Sequence, residues 1–150
     1  ALRHRFAAGA EQHEPARWLA ALQSALQPRL PLGQRLVVRG PTYADFSLQA
    51  TLEAAPLLDM TDIQSAAMAN LAQRLDPIAG ERSLGAALSV ADLGAWLRRI
   101  DGVSAVAALV LRDRSGKAVD AIDVGQQGLP RFDASQVVID VVRGNARSRP

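Results

Sequence analysis

The sequence predicts an α+β fold, a mostly antiparallel sheet with helices packed on one face, in the order helix, strand, helix, helix, strand, strand, strand. Three observations carry this. Residues 45–54 alternate without a break, with Phe46, Leu48, Ala50, Leu52 and Ala54 on one side and Asp45, Ser47, Gln49, Thr51 and Glu53 on the other. A period of two sends these sets to opposite faces of a strand, one buried and one wet. Three further stretches repeat apolar residues at helical spacing, and three extended apolar runs follow them. Helices and strands that do not alternate one for one favour α+β over a parallel α/β sheet.

The first helix runs to about Leu26. Pro15 fits its first turn, Trp18, Leu19, Leu22 and Leu26 form one stripe, and Pro28 stops it. Residues 36–39 make a short extended run ahead of the long strand, and Gly40-Pro41 interrupts the pairing between the two with a bulge or bend. The second helix covers about 61–75. Thr61 with Gln64 makes a capping box, and Ile63, Ala67, Leu71 and Leu75 recur every four residues. Ser89 caps the third helix, with Asp92 at its third position. Its stripe is Leu93, Trp96, Leu97 and Ile100; Arg98 and Arg99 suit the negative end of the helix dipole, and Gly102 supplies the exit. Residues 103–111, VSAVAALVL, are nearly continuous apolar and predict a strand covered on both faces. Turn chemistry at 112–117 makes a hairpin of that strand with 118–124. After a loop containing Gly125, Gly128 and Pro130, the last strand spans 136–142.

A chain of 150 residues suffices for one domain with a core. The reading is a flexible or linker head over 1–13, a single α+β domain over 14–143 and a flexible basic tail over 144–150. No run reaches the roughly eighteen apolar residues a spanning helix needs, so no membrane segment is expected. Arg3, His4 and Arg5 precede no apolar stretch, so the start is not read as a signal peptide. The chain opens on Ala1 without Met and is expected to be a piece of a longer polypeptide. It has no cysteine, which removes disulfide and thiolate chemistry.

The net charge of +2 hides a partition. Residues 1–39 hold six arginines against Glu11 and Glu14, whereas 40–142 hold eight basic and thirteen acidic residues. A basic stretch can hold phosphates, but the folded middle is acidic and the arginines are scattered. Nucleic acid is therefore not expected as a partner.

Each candidate for chemistry fails on its own residues. Ser115-Gly116-Lys117 resembles part of a phosphate loop, yet Ala118 stands where a magnesium-binding hydroxyl belongs and Leu111 where the first glycine belongs. It reads as a hairpin turn. His4 and His13 are the only histidines and have no cluster of carboxylates or thiolates nearby, so neither a zinc site nor a Ser-His-Asp assembly is expected. Asp120 and Asp123 would point to opposite faces of a strand. Asp59 and Asp62 suit the positive end of the second helix. Trp96 reads as core, and Trp18 as core or interface. No catalytic residue, metal or cofactor is assigned, and the chain is not read as an enzyme.

The succession Pro31-Leu32-Gly33-x-Arg35-Leu36-Val37-Val38-x-Gly40-Pro41-x-Tyr43, followed by the long alternating strand, resembles the baseplate J family of phage tails and contractile injection systems. Later pieces agree in order: Asp92-Leu93 opening a helix, Ile100-Asp101-Gly102-Val103 closing it, Val106 and residues 109–111, then Gly128-Leu129-Pro130 before a Val-rich strand. The resemblance covers about 14–142 and matches the C-terminal region of such proteins. Where many members carry a Trp- or Phe-containing glycine-rich stretch between the central helices, residues 80–88 here hold no aromatic. The resemblance implies a structural wedge subunit that assembles with neighbouring wedge and hub proteins, and with itself in a ring. It would be cytoplasmic during assembly and then part of a virion or phage-tail-like particle. The alternative is a small α+β ligand-binding or regulatory oligomerisation domain.

Overall fold

The computed structural model describes residues 16–77, 80 and 82–144. They divide into two units, one ending at Thr42 and the other starting at Tyr43. The first holds helix α1 (Ala16–Leu26), a 3-10 turn at Gln27–Arg29 that contains Pro28, and an extended segment. Trp18, Leu19, Leu22 and Leu26 are half-buried, and no residue of α1 is buried. Pro15, at the expected start of this helix, lies outside the described residues. Residues 36–39 are extended but belong to no strand, which corrects the expectation of a paired run. Gln27 accounts for this locally. Its amide accepts from the Leu36 N–H and donates to the Gln34 carbonyl, each at 2.9 Å, in place of a ladder.

The second unit is built on strand β1 (Thr42–Ala54), α2 (Met60–Leu75), β2 (Leu88–Ser89), α3 (Val90–Leu97), β3 (Val103–Asp113), β4 (Ala121–Ile122), β5 (Gly128–Arg131) and β6 (Val137–Arg143). The fold is α+β, with a mixed, mostly antiparallel sheet. β1 lies at its centre. β3 pairs with it antiparallel on one side, from Phe46 opposite Asp113 to Ala54 opposite Val103, while β5 and β6 also pair with β1. The β6 pairing is parallel and unbroken from Leu48 opposite Val137 to Ala54 opposite Arg143. The alternation in β1 does what the pattern demands: Phe46, Leu48, Ala50, Leu52 and Ala54 are all buried. The stripe of α2 and Leu93, Leu97 and Ile100 close the same core.

Local chemistry fixes the helix starts. At α3 the capping box forms in full, Ser89 Oγ accepting from the Asp92 N–H at 3.1 Å and Asp92 accepting from the Ser89 N–H. At α2 the expected Thr61/Gln64 box does not form. Asp59, one residue before the helix, accepts from the Thr61 N–H at 2.7 Å, since its shorter carboxylate already lies at the cap position. Gln64 is thereby released to donate to the Ile139 carbonyl of β6 at 2.7 Å. Gly102 leaves α3 at φ +91°, where a Cβ would press on Leu58.

Three strand expectations are corrected. β3 is covered on one face only, with Leu111 as its one buried residue. It is an outer strand, and its alanines make the outward face apolar without hiding it. The hairpin with 118–124 closes no further than its mouth. Asp113 and Val119 donate to the Lys117 and Leu111 carbonyls, and the chain then departs so that Ala121 and Ile122 pair with Ser89 and Leu88. Finally, Gly128–Arg131 is a buried strand where a loop was expected. A Gly-Leu-Pro run has no alternation to read, and proline fits a strand only where its missing N–H is not needed. Gly128 is required by space, because a Cβ there would collide with the Val124 carbonyl.

Candidate functional site

The turn at Ser115-Gly116-Lys117 shows why it cannot cradle a phosphate. The Asp113 carboxylate sits inside it and accepts from the Ser115 N–H at 2.8 Å, the Ser115 hydroxyl at 2.5 Å and the Lys117 N–H at 3.1 Å. The donors a phosphate would need already face a fixed negative charge. The Ser115 hydroxyl, followed by the backbone amides, holds the Asp113 carboxyl below the usual carboxylate range. Asp133 repeats the device with Ser135, and its carboxyl is likewise held low, first by the Ser135 hydroxyl. Asp123 accepts from the Gly125 N–H at 2.8 Å, and the Asp120 carbonyl receives the Val90 N–H at 2.9 Å. The two residues flank β4, and the structure brings them into no common site. Asp59 and Asp62 occupy the start of α2, as expected. Among the described residues no group of three or more His, Cys, Asp or Glu could hold a metal ion. His4 and His13 lie outside them.

Trp96 is half-buried rather than buried, and two guanidiniums lie over its ring, Arg74 at 5.4 Å and Arg82 at 5.6 Å from the centroid. Arg82 comes from the stretch 80–88 that lacks an aromatic. Its guanidinium donates to the Ala86 and Ala87 carbonyls and lies 4.0 Å from the Asp92 carboxylate. Burial lowers its pKa, and the charge of Asp92 opposes that shift. One arginine therefore pins the loop, faces the cap of α3 and covers the tryptophan. Nothing in the sequence near Arg82 signals this role, because its partners are backbone carbonyls and a ring fourteen residues away.

What remains is surface. Between β1 and α2 the chain exposes Leu57, Leu58 and Met60, and Leu57 adopts φ +74°, a left-handed conformation unusual for leucine. Beside β6 an open groove of about 550 Å³ is lined by Gln64, Ser65 and Met68 of α2 and by Val137 to Asp140. On the outer face of the sheet Val138 and Val142 are exposed. In the first unit Arg17, Arg29, Arg35 and Arg39 are exposed, with no acidic residue among 16–42. Among the described residues no helix is long and apolar enough to cross a membrane.

No family model and no curated protein matches the chain. Among solved structures it is similar to a chain in the cryo-EM structure of the anti-feeding prophage (AFP) baseplate, 6-fold symmetrised. The identity is 21%, the TM-score 0.54, and the match covers 85% of this chain and 26% of that one. The fold is that of a stretch of a baseplate chain. This chain spans about a quarter of the length of that AFP baseplate chain. At this identity the likeness is one of fold.

Proposed function

We propose that this chain is a structural piece of a phage-tail-like baseplate, of the baseplate J kind, in a contractile tail or injection system. It acts by binding neighbouring wedge and hub proteins and its own copies around a ring, and it catalyses no reaction. The observation that carries this reading is the fold shared with the AFP baseplate chain over 85% of the chain. The surfaces support it. The carboxylates of Asp113, Asp123 and Asp133 are engaged as local caps, which leaves them poorly placed as acids or bases. The basic segment 16–39 and the net acidic stretch 40–142 suit complementary contact between neighbours, which fixes partner and register more than raw affinity. Assembly takes place in the cytoplasm, and the chain ends in the particle. The test is disruption of the gene in its own host, followed by electron microscopy of purified particles and of particles carrying a tagged copy. Missing or broken baseplates, with the tag at the baseplate end, are expected. Complete, contracting particles from the disrupted strain overturn the proposal.

A further inference from the structure

Of the strands that flank β1, β3 and β6 are not equally fit to accept a neighbour. β3 loses its register twice against β1, between Thr51 and Leu52 and between Glu53 and Ala54, and its far end is occupied by the Val119 and Lys117 backbone. Bulges of this kind blunt an edge against further pairing. β6 runs seven residues in unbroken register, and among the described residues it pairs with β1 alone. The Ile139 carbonyl receives the Gln64 side chain, so the Ile139 backbone points away from β1, and Val141 follows it by alternation. A regular edge thus borders an open groove.

The first unit contains the complementary feature, a strand pattern without a sheet. In residues 34–39 Arg35, Val37 and Arg39 alternate with Leu36 and Val38. Gln27 engages the backbone on the Leu36 side only, which leaves the Arg35, Val37 and Arg39 side for pairing. Val37 is 59% exposed.

We propose that residues 34–39 of one copy of this chain add as a strand to the β6 edge of a second copy. Leu36 and Val38 then enter the groove beside Met68 and Ile139. Arg35, Val37 and Arg39 continue the outer face next to Val138, Asp140 and Val142. With these backbone directions Val37 stands opposite Val138 only in parallel addition, where it bonds to the neighbours Val137 and Ile139 and where Arg39 stands opposite Asp140. The main chain supplies the affinity and the alternate side chains the selectivity, as in other strand additions. An incoming N–H replaces Gln64 at the Ile139 carbonyl. This self-pairing does not depend on the baseplate reading, because it is measured on the chain alone.

The chain has no cysteine, so engineered thiols report only the contact they are placed at. A mixture of the single variants Val37→Cys and Val138→Cys is expected to form a mixed covalent dimer under mild oxidation. The yield should be several-fold above that of Val37→Cys mixed with Ala108→Cys on β3. In sedimentation velocity at high micromolar concentration the parent chain should associate. Val37→Pro, which removes an N–H on the pairing side and touches no strand of the fold, should be monomeric with an unchanged circular dichroism spectrum. Asp140→Arg should weaken association, and Arg35→Asp with Arg39→Asp should restore it. A parent chain that stays monomeric, or a mixed dimer no more abundant than the control, overturns the proposal. Asp140→Arg associating as tightly as the parent overturns the register.

Discussion

Helices α1 and α2 carry the same kind of apolar stripe and are covered to different depths. In α2, Ile63, Ala67, Leu71 and Leu75 are between 0 and 4% exposed. In α1, the stripe of Trp18, Leu19, Leu22 and Leu26 is only half-buried. Periodicity names the face a helix will hide; it does not say that this chain supplies the cover. Leu71→Ala should therefore cost about 3–5 kcal/mol in a denaturant titration, the range for truncating an enclosed leucine. Leu22→Ala should cost less, about 1–2 kcal/mol, because its side chain is only partly enclosed. Equal losses at the two sites would break the comparison.

Trp96 and Trp18 sharpen it with a larger side chain. Trp96→Ala should cost about 2–3 kcal/mol, at or below the low end for a buried aromatic, because the ring is half-buried under two guanidiniums. Trp18→Ala should cost clearly less. Thermal or urea unfolding of both variants decides, and a larger loss at Trp18 would make α1 the better packed helix. Arg82→Lys keeps the charge near Asp92 but loses the fork that reaches two carbonyls, and should cost about 1–2 kcal/mol. Loosened amide exchange in the loop 82–88, with α2 unchanged, is the accompanying signature.

These residues also mark how far the sequence was legible. The face of β1, the stripe of α2 and the capping box of α3 could be read because each is a local pattern that burial reinforces. The run 103–111 misled because continuous small apolar residues look the same in a covered strand and at an open edge. The Gly128–Arg131 strand has no periodicity, and its place is set by the long-range pairing with β1. Residues 36–39 form the expected extended run but not the expected pairing, because the Gln27 side chain engages the backbone at Gln34 and Leu36 instead. The groove beside β6 arises from residues 64–68 and 137–140, which no local window contains.

Leu57 tests whether exposed apolar residues of the second unit behave like those of α1. Its left-handed backbone carries about 1–2 kcal/mol of strain, which Leu57→Gly relieves, while the more flexible unfolded chain takes back about 0.5–1 kcal/mol. The net result should be neutral to slightly stabilising. A loss above about 1 kcal/mol would mean that the side chain packs after all.

The smallest effect belongs to the turns. Asp113 and Asp133 have carboxyl groups held below their ordinary range in the folded state. A carboxylate depressed on folding contributes stability that is complete above its unfolded pKa. That contribution fades as pH falls from the ordinary carboxylate range through the lower folded value. Neither carboxylate is enclosed and both are screened by solvent, so the slope they add should be shallow. Asp113→Asn should flatten the acid limb of a stability–pH curve slightly, leaving the curve above the carboxylate range parallel to the parent. Asn retains an acceptor for the Ser115 N–H, so the turn itself should persist. A variant that unfolds at neutral pH would show that this turn holds the β3 edge in place, and the contrast between a deep α2 core and a lightly stabilised periphery would fail there.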